Sequence, residues 1–333
     1  MSVRELTVNQ SKLEQAFGVK KLAENHYEGV TPLNKPSLNS RGVYGGNLCG
    51  QALLVAMETV PEGFTPHSLH SYFVKAGDDT IPCQFSVEQV SNGKNFANRL
   101  IKVTQKGETK YIVMISLTAK NSLLEANKNY INNQMSGDGT ASLPMDFQVP
   151  PPAPFSRHLH SELETRTDFD HTNTLQHKFS PNFHNPSLTQ REEAKKAAAE
   201  RDLSFWIRVD DKLSHLSSNA NSKLKFAGFG VVSDSLYLTS LSRILHLPLK
   251  EKLTSGGKGE HFFSISLDHS IYFHDTEFDP TKWMFFNFRA PRFANNRVLL
   301  QGSYYNEDGK LFASIVQEGL VFFHSGSESK AKL

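Results

Sequence analysis

The sequence predicts an α+β protein with two tandem copies of one unit, in which an antiparallel sheet wraps around a central helix. Three observations lead to this fold class. Two segments about 200 residues apart resemble each other, and each is preceded by one apolar helical stretch. The connection between them is rich in proline and polar residues. A chain of 333 residues is long enough for two domains with separate cores.

The helix of the first copy follows Gly45 and Gly46. Residues 51–58 are apolar almost all round, which predicts a buried helix. The strands of this copy come next. Residues 95–103 and 110–116 are rich in β-forming side chains and flank a glycine-containing turn at 106–108, so they predict an antiparallel hairpin.

The second copy repeats this order. Its hairpin is predicted at residues 292–300 and 310–316, with a turn at 307–309. We expect its helix to begin at Ser233-Asp234, where either residue would cap it, and to end at residues 246–248. The helix would carry an apolar face formed by Leu236, Leu238, Leu241 and Ile244.

These elements predict four segments. Residues 1–120 form the first domain, residues 121–201 a linker between domains, residues 202–325 the second domain, and residues 326–333 a flexible tail. The linker contains a proline run at 150–154 and a charged stretch at 191–201. A connection of this length is unusual inside one domain.

Composition excludes several protein classes. The formal net charge of +2 argues against bulk nucleic-acid binding. The two cysteines, Cys49 and Cys83, form no CxxC motif and predict a reducing compartment. No apolar run reaches the length of a membrane span. We therefore expect no nucleic-acid partner and no membrane-spanning segment.

The last three residues predict a location. Ala331, Lys332 and Leu333 are a close variant of the Ser-Lys-Leu address, which is read by the peroxisomal import receptor. The polar residues before them would keep this tail accessible. We expect import into the peroxisomal matrix, with the import receptor as a partner; a solvated tail without this role is the alternative.

Several catalytic motifs are missing from the sequence. It has no G-x-S-x-G, no HExxH and no paired CxxC, which argues against a serine α/β-hydrolase and against a zinc enzyme. Gly228 and Gly230 resemble a dinucleotide-binding fingerprint, but Ser233 replaces its third glycine; a turn before a capped helix accounts for them better. Cys49 fits a small buried side chain better than a nucleophile. We expect no metal and no cofactor.

Comparing the copies identifies three polar residues of the second copy: Asp234, Ser266 and Gln317. When Phe73 is aligned with Phe273, the matching residues of the first copy are Asn47, Pro66 and Leu117. Aligning His70 with His269 places His67 opposite Ser266 instead, so the counterpart of Ser266 is either Pro66 or His67. Polar side chains inside strands and at a buried helix end are unfavourable unless they have partners. Three of them in one copy predict a shared site.

Each of the three also has a purely structural explanation: Asp234 as a helix N-cap, Ser266 as an ordinary strand hydroxyl, and Gln317 as a solvent-facing side chain. Together they could perform a hydrolysis. A carboxylate can take a proton from water, and a hydroxyl and an amide can hold that water for attack. Nearby helix N-terminal N–H groups could stabilise an oxyanion, an effect of roughly 3 kcal/mol per donor.

With these residues the sequence resembles the type II acyl-CoA thioesterase family, including its peroxisomal members. The matching segments are 41–46, 50–52, 67–73, 183–186, 205–208, 233–234, 267–274 and 316–319. The resemblance implies a tandem (double) hotdog fold and oligomers of double-hotdog subunits. It also implies hydrolysis of acyl-CoA to free fatty acid and coenzyme A. The family's catalytic Asp, Ser or Thr, and Gln fall on Asp234, Ser266 and Gln317.

Four further residues are candidates for binding the acyl-CoA substrate: Gly46, Asn47, Arg99 and Arg297. The two arginines could meet the phosphates of coenzyme A, although solvated arginines on a strand surface are an equally simple explanation. Two other functions stay open. One is an enoyl-CoA hydratase on the same fold, with Asp234 and His269 or His274 as its acid and base. The other is a non-catalytic acyl-CoA-binding protein.

Overall fold

The computed structural model describes most of the chain. The described residues are 11–38, 40–136, 143–157, 160–167, 172, 174–181, 183, 193, 195–214, 216–236, 238, 240–246 and 261–324. The predicted targeting residues Ala331, Lys332 and Leu333 lie outside them.

The first half of the protein contains two helices and six strands. They are α1 Lys12–Phe17, β1 Val19–Ala23, β2 His26–Gly29, α2 Gly45–Met57, β3 Thr65–Phe73, β4 Gln84–Asn92, β5 Phe96–Gln105 and β6 Glu108–Thr118. As predicted, α2 is buried along most of its length. The predicted hairpin is β5–β6, and its turn uses Lys106 and Gly107, both with positive φ.

The described residues of the second half form seven strands and two helices. They are β7 Leu175–Phe179, β8 Leu203–Val209, α5 Ser218–Ser233, α6 Leu241–Ile244, β9 His261–Ser266, β10 Asp268–Phe273, β11 Met284–Ala294, β12 Arg297–Tyr305 and β13 Leu311–His324. Between the halves, the described residues form the α-helices α3 Leu123–Met135 and α4 Ala153–Arg157 and a 3₁₀ turn at His160–Glu162; another 3₁₀ turn, Ala198–Glu200, precedes β8. The second predicted hairpin is β12–β13.

The two halves share one continuous sheet. Its strand order is β1-β2-β4-β5-β6-β3-β10-β13-β12-β11-β8-β7, and β9 pairs with β13 beside β10. The halves meet where β3 pairs antiparallel with β10. All strand pairs are antiparallel, and α2 and α5 pack against each other within the main hydrophobic core. The predicted tandem hotdog is confirmed, with the two sheets joined edge to edge.

The prediction that a helix begins at Ser233-Asp234 is wrong. Helix α5 begins at Ser218, where the Ser217 hydroxyl accepts a hydrogen bond from the Ala220 N–H, and it ends at Ser233. Asp234 is therefore its C-cap. Residues 241–244 form only the single turn α6. Gly228 and Gly230, which suggested a turn, lie inside α5.

One glycine in each central helix, Gly50 in α2 and Gly230 in α5, allows the two helices to cross closely. A Cβ on Gly230 would come within 2.8 Å of the Gly50 backbone, and a Cβ on Gly50 within 2.5 Å of the Ala227 carbonyl oxygen. Real Cβ atoms do not approach this closely, so both positions require glycine for packing. The crossing is antiparallel: the N-terminus of α2 lies at the C-terminus of α5.

The segment predicted as a linker, 121–201, carries structure of its own. It contains β7, which pairs with β8 at the edge of the sheet. Gln148 donates to the Gly309 carbonyl oxygen and accepts from the Leu311 N–H, so this part lies against β13. In the described ranges, no helix is both long and apolar enough to span a membrane.

Candidate active site

Asp234 lies where the first half meets the second. It follows the last residue of α5, and its Oδ2 accepts a hydrogen bond of 3.0 Å from the N–H of Gly46 in the first turn of α2. A Cβ on Gly46 would lie 2.6 Å from the Val231 carbonyl oxygen, so only glycine lets this N–H reach the carboxylate. The N-terminal end of the α2 dipole favours the negative charge.

The structure brings the three predicted residues together. Gln317 Nε2 donates to Asp234 Oδ1 at 2.9 Å and to Ser266 Oγ at 2.7 Å. Ser266 Oγ also donates to Asp234 Oδ1, at a longer 3.4 Å. Ser266 ends β9 and Gln317 lies in β13, which pairs with β9 and β10. A carboxylate, a hydroxyl and an amide thus form one hydrogen-bonded group at the end of α5.

A fourth side chain, His269, extends this group into the core. Its Nδ1 lies 3.0 Å from Gln317 Oε1, and its Nε2 lies 2.9 Å from the Ser233 hydroxyl. Its backbone carbonyl oxygen accepts from the Ser71 hydroxyl at 2.8 Å. His269 is fully buried. The sequence offered His269 only as an acid or base for a hydratase; the structure gives it no free nitrogen for such a role.

Burial sets the charges of the site. It raises the pKa of Asp234 to about 6, against the opposing effects of the Gln317, Gly46 and Ser266 hydrogen bonds. It lowers the pKa of His269 to about 4 and raises that of Cys49, on α2, to about 12. At neutral pH the Asp234 carboxylate is ionised among neutral neighbours, as a general base must be.

The strand registers correct the comparison of the two copies. Ser266 pairs with Gly319 as Pro66 pairs with Leu117, so Pro66 is the counterpart of Ser266, and the alternative His67 is wrong. In the same registers Phe273 pairs with Ala313 and Phe73 with Tyr111. Gln317 therefore corresponds to Ile115, not to Leu117.

The counterpart of Asp234 is also corrected. Glu58 is the C-cap of α2 as Asp234 is the C-cap of α5, and Glu58 forms an ion pair with Lys223 in the early part of α5. Asn47 instead lies in the first turn of α2, where its side chain donates to the Asn34 carbonyl oxygen. Asn47 was wrongly aligned with Asp234 because the second helix was predicted to begin at residue 233, where it in fact ends.

The two arginines lie away from the Asp234 group. Arg99 is buried, and its guanidinium donates five hydrogen bonds to protein oxygens, including two to Thr59. All five of its N–H groups are therefore used within the protein, and none remains to bind a phosphate of coenzyme A. This contradicts the prediction that Arg99 contacts coenzyme A. Arg297 begins β12, is about half exposed, and forms an ion pair of 3.2 Å with Glu318.

A cavity of about 220 Å³ lies beside the start of α2. Phe17, Leu33, Tyr44, Asn47 and Val231 are among its lining residues. The Tyr44 hydroxyl donates to the Val231 carbonyl oxygen at 3.0 Å and closes the side of the cavity nearest to α5. Asn47 therefore lines the cavity and directly follows Gly46 in α2. In the described part of the chain, no three His, Cys, Asp or Glu side chains cluster as metal ligands would.

Two protein-family models match the chain. One, described as the acyl-CoA thioesterase C-terminal domain, matches residues 152–321, and the other, the acyl-CoA thioesterase N-terminal domain, matches residues 34–120. The first spans the Asp234 group, and the second contains Gly46. Together they cover most of the described structure.

Similar proteins include eukaryotic thioesterases. The chain is 25% identical to a peroxisomal acyl-coenzyme A thioester hydrolase 1 of Saccharomyces cerevisiae, over 89% of this chain and 90% of the relative. It is 28% identical to acyl-coenzyme A thioesterase 8 of Mus musculus, over 85% of this chain and 81% of the relative.

Solved structures support the fold. An acyl-CoA thioesterase II, TesB2, of Mycobacterium marinum superimposes with a TM-score of 0.67 at 23% identity, over 95% of this chain and 99% of the other. A hot dog fold protein of Alicyclobacillus acidocaldarius gives a TM-score of 0.58 at 15% identity, over 93% and 97%. At these identities the likeness establishes the fold alone.

Proposed function

This chain belongs to the acyl-CoA thioesterase family and is a thioester hydrolase, and we propose that Asp234, Ser266 and Gln317 perform its reaction on fatty acyl-CoA. The observation that carries the proposal is the hydrogen-bonded group that these three side chains form at the end of α5. A carboxylate with a raised pKa, held by an amide and a hydroxyl, is suited to activating water.

In the proposed reaction, water attacks the thioester carbonyl carbon directly. Asp234 takes a proton from the water as its oxygen bonds to that carbon. The tetrahedral intermediate then collapses, the carbon–sulfur bond breaks, and the proton passes from Asp234 to the coenzyme A sulfur. The products are a fatty acid and coenzyme A with a free thiol. Asp234 returns to its ionised form, and no covalent acyl-enzyme is required.

The other groups of the site position and stabilise. Ser266 and the Gln317 amide hold the water in line with the carbonyl carbon, which lowers the entropic cost of attack. Gly46 donates its N–H to Asp234 Oδ2 at the positive end of the α2 dipole, which stabilises the ionised form of the base. We propose that the acyl-CoA runs past Asn47 into the adjoining cavity.

One experiment distinguishes this function from its rivals. Purified protein is incubated with a series of saturated acyl-CoAs and with 2-enoyl-CoAs, while free thiol and loss of the double bond are both followed. Thiol release from saturated substrates supports the thioesterase. Loss of the double bond without thiol release would indicate a hydratase, and tight binding without either change would indicate a binding protein.

The raised pKa of Asp234 predicts how activity depends on pH. Since the ionised carboxylate is the base, kcat/KM is expected to be level near neutral pH and to fall about tenfold per pH unit below pH 6. The measurement is thiol release between pH 4.5 and 8, with circular dichroism at each pH to verify that the protein stays folded. A level profile down to pH 4.5 in folded protein would contradict Asp234 as the base.

We also propose that the protein acts in the peroxisomal matrix, which the name of the yeast relative supports. Import is expected to depend on Ala331, Lys332 and Leu333. The test is to express an N-terminal fluorescent fusion with and without these residues in cells that lack the native protein, so that no intact partner carries it in. Hydrolysis should be equal for both forms, whereas punctate signal from the truncated form would refute the address.

A further inference from the structure

We propose that His269 is a positioning residue that fixes the direction of the Gln317 amide by donating its Nδ1–H to Gln317 Oε1. The proposal rests on the proposed function of Asp234, Ser266 and Gln317. With Oε1 held by the imidazole at 3.0 Å, both N–H groups of the amide are directed toward the carboxylate and the Ser266 hydroxyl.

An amide side chain needs such a partner because its two ends have the same shape and opposite polarity. Turned by 180°, Gln317 would place Oε1 where Nε2 now lies, 2.9 Å from Asp234 Oδ1. An ionised carboxylate repels that oxygen, so the resting site favours the observed direction. The repulsion disappears once Asp234 has taken the proton of the water.

At that moment a reversed amide would become favourable. The protonated Asp234 could donate to Gln317 Oε1, and this hydrogen bond would hold the proton that the coenzyme A sulfur must receive. The His269 Nδ1–H opposes the reversal, since turning the amide would set two N–H donors against each other in the core. The reversed amide would leave a buried donor without a partner, which favours the observed direction.

The surroundings of His269 keep its ring in the required form. The residue is fully buried, and burial lowers its pKa to about 4, so the imidazole is neutral during catalysis. A neutral ring that donates from Nδ1 accepts at Nε2, which lies 2.9 Å from the Ser233 hydroxyl. That hydroxyl has one proton for two acceptors, Nε2 and the Gly230 carbonyl oxygen 2.8 Å away, and the tautomer that donates from Nδ1 requires the proton to go to Nε2.

The first half supports a link between His269 and Gln317. In the strand registers, Leu69 pairs with Ile115 where His269 lies opposite Gln317. Both members of the first pair are apolar and buried, whereas both members of the second are polar and buried. The two positions thus differ together between the halves: both are apolar in the first half and both are polar in the second. Leucine therefore fits this position of the fold.

The test uses His269→Leu and His269→Asn in the full-length protein. Leu removes the donor, so kcat is expected to fall at least about tenfold, with KM nearly unchanged because substrate binding is not affected. Asn places an amide N–H near the position of Nδ1 and is expected to recover most of the lost turnover. In a Gln317→Leu background, His269→Leu should have no further effect on kcat, because the amide that it positions is gone.

A pH profile separates positioning from a merely structural role. In His269→Leu the Gln317 amide can turn and no longer stabilises the ionised Asp234 carboxylate. The acidic limb of the kcat/KM profile should therefore move to higher pH in this variant and return to its original position in His269→Asn. The other titratable side chains facing Asp234 are Cys49 on α2, Tyr111 on β6 and Tyr304 on β12. Burial raises the pKa of each, so all three are neutral over this range and cannot produce the shift.

Four outcomes would overturn the proposal: equal loss of kcat in the Leu and Asn variants, an unmoved acidic limb, a fully additive loss in the Gln317→Leu background, or full activity of His269→Leu. Should His269→Leu fail to fold, His269→Asn and His269→Gln give the same test, since Gln reaches the Nε2 position and not Nδ1. If Gln317→Leu alone retained full activity, the proposed function itself would fail, whatever the His269 variants do.

Discussion

Asp234→Asn is expected to lower kcat at least about a hundredfold, which corresponds to roughly 3 kcal/mol of lost transition-state stabilisation. An amide cannot take the proton of the attacking water. The variant should fold, because Asn can still accept the Gly46 N–H through its carbonyl oxygen. Steady-state thiol release measures the effect. Near-normal turnover in a correctly folded variant would remove Asp234 from the mechanism.

The same substitution is expected to remove the cost of ionising a buried carboxyl group, so the stability of the variant relative to the unmodified protein should rise with pH. The pKa of Asp234 is raised from 3.8 to about 6 in the folded state, so ionising it costs up to about 3 kcal/mol of folding free energy once the pH exceeds 6. This cost is absent below pH 3.8, where the carboxyl is protonated in both states, and it grows between pH 3.8 and 6. Urea unfolding of both forms across this range should show the gap widening as the pH rises.

Asn47→Ala is the matched control for Asp234→Asn. Asn47 lies next to Gly46 and contacts the Asn34 carbonyl oxygen, away from the proton transfer. Its loss is expected to raise KM more than it lowers kcat, if Asn47 contacts substrate at the cavity. A loss of kcat as large as that of Asp234→Asn would contradict the assignment of the base.

The sequence was sufficient to bring the three site residues together, although the reasoning about their counterparts was partly wrong. The prediction depended on a difference in polarity between the copies, which a small shift in the alignment does not change. The counterpart of Gln317 is apolar whether it is Leu117 or Ile115. The contrast for Asp234 was weaker than predicted, because its counterpart Glu58 is also a carboxylate. The two carboxylates differ in their partners: Glu58 pairs with Lys223, whereas Asp234 accepts from the Gly46 N–H.

The second helix was misplaced because its glycines have a tertiary cause. Gly228 and Gly230 lower helix propensity and suggested a turn. Their role is visible only in the folded protein: Gly230 makes room for Gly50 across the helix crossing, and a Cβ on Gly228 would lie 2.8 Å from the Leu13 side chain of α1. No local pattern in the second half encodes these contacts. The misplaced helix then led to Asp234 being assigned to an N-terminus.

The contributions of Gly46 and His269 were out of reach for a similar reason. Gly46 was a sequence candidate for substrate binding, but its hydrogen bond to Asp234 joins two helices from opposite halves of the chain. His269 looked like a candidate acid or base because imidazoles commonly are. Its actual contacts, one on each nitrogen, follow from the pairing of β10 with β13 and the end of α5. Such contacts join residues that are distant in sequence.

Arg99→Met is expected to destabilise the protein by about 1–3 kcal/mol, because five partly buried acceptors lose the guanidinium that donates to them. The Arg99 guanidinium reaches the Thr59 side chain and carbonyl, the Ser91 and Asn98 carbonyls and the Asn92 side chain. These bonds tie the end of α2 to the β4–β5 hairpin. Thermal or urea unfolding of the full chain measures the loss.

The position of Arg99 gives this prediction a second consequence. Arg99 pairs with Ile115, the counterpart of Gln317, and bonds to Thr59, which follows Glu58, the counterpart of Asp234. In the second half, Leu300 holds the corresponding position beside Gln317. Arg99 completes the first half structurally, so at a temperature where Arg99→Met remains folded, its kcat should equal that of the unmodified protein.

Arg297→Ala is the control, since both arginines are candidates for the same phosphate contact on sequence grounds. Arg297 is about half exposed and paired only with the partly exposed Glu318, and exposed ion pairs contribute about 0–1 kcal/mol. Its loss should leave stability almost unchanged, and if it meets coenzyme A, KM should rise for acyl-CoA but not for a truncated thioester without the nucleotide. A variant Arg99→Met as stable as Arg297→Ala would refute the structural role of Arg99, because the loss of a donor shared by five partly buried acceptors should be measurable.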